Sequence, residues 1–197
     1  MRHEWYGNDR DLVKWSALVH LARREGVRTI VHVAMRRPDG PPQALSTARG
    51  PVDPPAEVRA HFRDLDDIQR LAAAAGLTIE VVDAPFRDRR RYFDGVIERV
   101  RPEDRPAMLV FLDPDVGLVP EQPGPEYVAS SEVAALFEAL RPGDLLACYQ
   151  HGRRQKDWRG RARRAFANAP GLPSFDVEAL ESEQARDVLL LAVRKPA

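Results

Sequence analysis

The feature that most constrains this chain is the run AMLVFLD at 107–113, apolar until it closes in Asp113-Pro114. A strand exposed on one face alternates apolar and polar side chains. A short run that stays apolar suits a strand covered on both faces, as in a parallel sheet between helical layers. Three more bounded runs resemble it: VRTIVHVAM (27–35), LTIEVVD (77–83) and DLLACYQH (144–151).

Helical patterns separate these runs. Residues 9–25 place Leu12, Trp15 and Val19 on one face before Gly26. Pro54-Pro55 opens a second helix reaching Ala75, with Val58, Phe62, Leu65 and Leu71 as its stripe. Residues 88–100 carry Phe93, Val96, Ile97 and Val100 at helical spacing, and Ser130 or Ser131 can cap a helix bearing Val133, Leu136, Phe137 and Leu140. A basic helix follows over about 157–168, and two closing strands, 174–180 and 187–195, have no helix between them. Strands alternating with helices predict an α/β, Rossmann-like three-layer sandwich. Its sheet should be mainly parallel, with an antiparallel C-terminal hairpin. One domain over 1–197 is expected. Residues 36–55, with six prolines and two glycines, should form a long loop over the strand ends.

Acidic and basic residues balance at 30 each, so no global field draws the chain to nucleic acid. Local basic runs exist at 87–91 and at 153–164, the latter with seven Arg or Lys against one Asp. The single Cys148 lies in an apolar run and reads as an inert buried thiol. No apolar stretch approaches the roughly 20 residues that cross a bilayer, and the polar N-terminus does not read as a secretory signal. A cytoplasmic location is the expectation.

In open parallel sheets ligands bind beyond the carboxyl ends of the strands. That rule selects Arg36 and Arg37, Asp83, Asp113 and Asp115, and Gln150 and His151. Asp113 and Asp115 flank a proline and suit either a divalent metal or a carboxylate base, with helix capping or turn formation as the plain alternative. His151 supplies a titratable group on the next strand, so Asp113, Asp115 and His151 are expected to converge as a catalytic set. Asp83 and Arg153 should stand at its rim. Arg153, Arg154, Lys156 and Trp158 suit a phosphate and a base, or else a solvated charged face. Trp5, Tyr6, Asn8, Asp9, Asp11 and Lys14 surround a helix start, where capping and packing account for most of them. No G-x-G-x-x-G follows the first strand, so a nicotinamide dinucleotide site is not expected.

These residues carry a resemblance. VVDAPF (81–86), VFLDPD (110–115), RPGDLLACYQH (141–151) and the 174–195 hairpin resemble the later half of class I S-adenosylmethionine methyltransferases, VFLDPD standing for their D-P-P-[YF] motif. The whole chain also resembles a bacterial family marked by DRDLVKW, FLDPDxGL and YQH, and is similar at a distance to three-Cys-motif partner proteins. The methyltransferase resemblance implies S-adenosylmethionine as cofactor, with Asp83 and Arg36 meeting it and Asp113 orienting the acceptor. Arg153, Lys156 and Trp158 would then hold a nucleotide, nucleic-acid or other phosphate-bearing substrate. Two readings stay open beside it. One is a Mg²⁺-dependent phosphodiesterase or nuclease-type hydrolase with the metal on Asp113 and Asp115; the other is a non-catalytic binding module.

Overall fold

The computed structural model describes residues 9–36, 45–47, 50–52, 66–119, 124–152 and 156–196. The four apolar runs form β1 (Thr29–Val33), β4 (Thr78–Val82), β5 (Met108–Leu112) and β8 (Leu145–His151). All four are parallel neighbours in the order β4-β1-β5-β8. The sheet continues with β10 (Val188–Arg194) antiparallel to β8, and β9 (Glu178–Leu180) antiparallel to β10 at the edge. The expected parallel sheet with antiparallel closing strands is the fold observed.

Side-chain alternation along the strands feeds two cores. Val31, Val33, Val110, Leu112, Leu146 and Cys148 face α3 (Arg89–Val100), α4 (Ser130–Ala139) and α5 (Trp158–Asn168). Ile30, Leu109, Phe111, Ala147 and Tyr149 face α1 (Asp9–Arg24) and α2 (Asp66–Ala75). Every residue of β5 is buried, which is why its sequence carries no polar alternation.

Several local expectations change. The 36–55 segment was expected to hold no strand, yet β2 (Leu45–Thr47) and β3 (Gly50–Val52) pair antiparallel within it. Three-residue strands need no apolar pattern, so nothing in the composition marked them. The onset of the helix placed after Pro54-Pro55 lies outside the described residues. The 174–180 run is split: Ser174–Asp176 makes a 3₁₀ turn after Pro173, and only Glu178–Leu180 is strand. The α4 cap is Ala129 rather than either serine, and Glu132 accepts the Ala129 N–H at 2.7 Å. A short parallel pair, β6 (Gly117–Val119) and β7 (Tyr127–Ala129), sits between β5 and α4.

At the amino end of the sheet Asp144 has no exposed side-chain surface and accepts from Arg105, the Met108 N–H and the Arg141 N–H. This carboxylate closes the RPGD turn before β8. Among the described residues no helix is long and apolar enough to cross a membrane.

Candidate functional site

The chain leaves β1 toward β4 on one side and leaves β5 toward β8 on the other. The carboxyl ends of β1 and β5 therefore flank the topological switch point, where an open α/β sheet forms its crevice. Asp113 stands there, one residue past β5, its N–H donated to the Val33 carbonyl at 3.1 Å.

Helix α1 closes over this position. Lys14 Nζ donates to Asp113 Oδ1 and Oδ2 at 3.2 and 3.1 Å and forms an ion pair with Asp11 at 2.7 Å. His32 Nε2 lies 2.9 Å from Asp113 Oδ2. Asp113 is 2% exposed, Lys14 5% and His32 0%. His32 stacks on Phe111 with centroids 5.3 Å apart and meets the Trp15 ring edge-on at the same separation. Lys14 Nζ lies 5.5 Å from the centre of the Tyr149 ring.

The charge state follows from these contacts. Burial pushes Asp113 upward, but Lys14 and then His32 outweigh it and hold the carboxyl below its ordinary range. Burial pulls Lys14 down, and Asp113 and Asp11 more than restore it. For His32 burial prevails over Asp113, so its pKa is lowered and the ring is neutral at pH 7. An ionised Asp113 only accepts, so His32 Nε2 carries the proton and Nδ1 is bare. Neither His32 Nδ1 nor Trp15 Nε1 finds a hydrogen-bond partner among the described residues.

Asp113 and His151 lie on adjacent strands but serve different partners. His151 Nε2 stands 3.3 Å from Asp187 Oδ2, which also takes Arg10 at 2.6 Å, and His151 Nδ1 is 3.0 Å from the Gly152 carbonyl. Asp113 and His151 share no hydrogen-bond partner among the described residues. Asp115 is partly exposed, Asp83 is exposed beyond β4, and Arg36 is partly buried past β1. Lys156 is exposed, Trp158 packs on the core as the first residue of α5, and Arg153 lies outside the described residues. In the 87–91 run, Arg89 is structural: it binds Glu132 at 2.8 and 2.6 Å and the Gly124 and Tyr127 carbonyls.

Two of the motifs singled out in the sequence acquire architectural roles. Gln150 Oε1 accepts the Leu118 N–H at 3.0 Å, and its Nε2 donates to the Val116 and His151 carbonyls. Gly117, at φ 132°, has room for this side chain only because it lacks Cβ. The glycine of VFLDPDVGL and the glutamine of YQH thus fit each other.

Sequence reasoning passed over His32, which lay in an apolar run with no polar neighbour, and treated Lys14 as part of a helix start. The helical spacing offered one signal: Lys14 falls beside Trp15 and Leu18, on the side of α1 that meets the sheet.

The fit to cofactors can be judged from the donor set. Among the described residues no group of three His, Cys, Asp or Glu could hold a metal, and both Asp113 oxygens are engaged by Lys14 and His32. The turn after β1, Ala34-Met35-Arg36, offers S-adenosylmethionine no free donor at Met35. Met35 takes φ 45° with its side chain fully buried, and its N–H is donated to Tyr92 Oη at 3.0 Å. The Arg36 carbonyl accepts the Phe86 N–H at 2.7 Å, stitching this turn to the one after β4. In the described part of this turn the Met35 N–H and the Arg36 carbonyl are therefore already bonded within the protein.

No known protein-family model matches the chain. No curated protein matches it either. Solved structures similar to it include a candidate methyltransferase from Thermobifida fusca YX, at 15% identity and TM-score 0.44. The alignment covers 95% of this chain and 82% of that one. A DUF574 family protein from Streptomyces avermitilis MA-4680 is similar at 16% identity and TM-score 0.43, with coverage of 95% and 82%. At such identities and scores these proteins assign neither activity nor ligand to this chain.

Proposed function

We propose that this chain is a binding protein on a Rossmann-like, methyltransferase-like frame. It takes a phosphate-bearing ligand, a nucleotide or nucleic acid, on the side where β8 leads into α5. The observation that carries this reading is the closure of Asp113: a carboxylate 2% exposed, with both oxygens engaged, does not touch a substrate. The residues around it have structural tasks. Lys14 and His32 lock α1 to β1 and β5, and Gln150 ties β8 to β6.

The ligand class rests on the basic residues that follow β8. Lys156 and Arg161 are exposed, and neither has an ion-pair partner among the described residues. Arg159 stacks on the Trp158 ring at 4.6 Å while binding Glu181. Titration with nucleotides and with labelled oligonucleotides at rising salt tests the reading. Affinity should fall steeply with salt, as counterion release requires.

Methyl transfer from S-adenosylmethionine is the second reading, favoured by Asp83, whose exposed carboxylate beyond β4 suits ribose hydroxyls. Calorimetry with S-adenosylmethionine separates the two. Binding that Asp83→Ala abolishes would favour the enzyme, and no heat at millimolar cofactor would favour the binding protein.

A further inference from the structure

Resting on that reading, we propose that the Ser174–Asp176 turn presents Phe175 as a stacking platform for a base of single-stranded nucleic acid. Lys156, Arg161 and Arg164 of the adjoining segment then face the phosphates.

Phe175 is 78% exposed and, with Leu12, is one of two large apolar side chains on the surface of the described residues. Its exposure is imposed by anchors on both sides. Before it, the Leu172 N–H bonds the Ala167 carbonyl at 2.9 Å; after it, Val177 is fully buried. Arg163 Nη2 donates to the Phe175 carbonyl at 3.3 Å and ties the turn to α5. The ring is thus held out by a fixed backbone.

Arg161, Arg164 and Asn168 are spaced three and four apart and are all exposed, so they form one outward stripe on α5. Residues 156–176 carry five Lys or Arg against two Asp, Asp157 and Asp176. Asp157 pairs with Arg164 at 2.9 Å, but both side chains are more than half exposed, so a phosphate can compete for that arginine. One ring offers a protein partner too little apolar area for a stable interface. One ring is sufficient for a base, whose π-face stacks on an aromatic side chain regardless of sequence. A duplex keeps its bases stacked on each other, which selects the single strand.

The test is fluorescence anisotropy with a labelled oligonucleotide of about 12 nucleotides and its duplex. Phe175→Ala should weaken single-strand binding about tenfold and leave the salt slope unchanged. Phe175→Trp should restore affinity. Lys156→Ala with Arg161→Ala should instead flatten the salt slope. Equal affinity of Phe175→Ala and the parent, or equal affinity for duplex and single strand, would overturn the platform while leaving the binding function standing. If the parent binds no oligonucleotide at any salt, the function itself fails and the platform with it.

Discussion

The two charged regions of this protein, the switch point under α1 and the surface of α5, use the same residue types under opposite conditions. At the switch point Lys14, Asp11 and Asp113 lie with a neutral histidine where water is nearly absent. On α5, Arg161 and Arg164 stand in solvent, and the pairs Arg164–Asp157 and Arg159–Glu181 are around half exposed. A buried charge that loses its partner leaves the other uncompensated; an exposed one is re-solvated. The first region is therefore suited to fixing architecture, and the second remains free to exchange partners with a ligand.

The largest expected effect is at Lys14. Lys14→Met should cost about 3–5 kcal/mol of unfolding free energy, measured by urea titration, because Asp113 and Asp11 lose their cation. Adding Asp113→Asn should recover part of that loss, since it removes a stranded charge. If the two losses simply add, the ion pair is not the lock described above.

Next comes pH. The His32 pKa is lowered in the folded protein, so below about 6.5 the unfolded chain takes up a proton that the folded one refuses. Its contribution is complete above that pH and declines as pH falls toward the folded value, by up to about 1.4 kcal/mol per pH unit. Asp113, held low, contributes fully above the ordinary carboxylate pKa of about 3.9 and loses that contribution progressively as pH falls below it, outside the range compared here. Urea midpoints at pH 7.5 and 5.5 should therefore diverge in the parent and converge in His32→Gln, which retains a donor for Asp113. An unchanged difference in the variant would place the titration elsewhere.

The smallest effect is on the surface. Arg99 pairs with Glu80 at 2.9 Å with both side chains well exposed, and Arg99→Ala should change stability by less than about 0.5 kcal/mol. A large loss there would erase the contrast between buried and exposed pairs.

What the sequence reveals follows the same division. The parallel strands are legible because burial on both faces forces continuous apolar runs, and the antiparallel closing strands because no helix fits between them. The short pairs β2–β3 and β6–β7 are invisible, since three-residue strands carry no periodicity. Strand ends point to Asp113 and His151, and both stand there, but their partners come from far along the chain. Lys14 is 99 residues from Asp113, and Asp187 meets both His151 and Arg10 from just before β10. Spacing within a motif does not encode such long-range pairing. His32 is silent because it shares its run with valines and isoleucine.

The proposed ligand binding beside α5 can be separated from any role of Asp113 by one set of variants. The most direct measurement is an oligonucleotide titration of the parent, Lys156→Ala/Arg161→Ala and Asp113→Asn proteins, with circular dichroism confirming each fold. Salt-dependent binding should be weakened in the α5 variant and unchanged in folded Asp113→Asn. Binding that survives the α5 changes but is lost in folded Asp113→Asn would place the ligand at Asp113 instead.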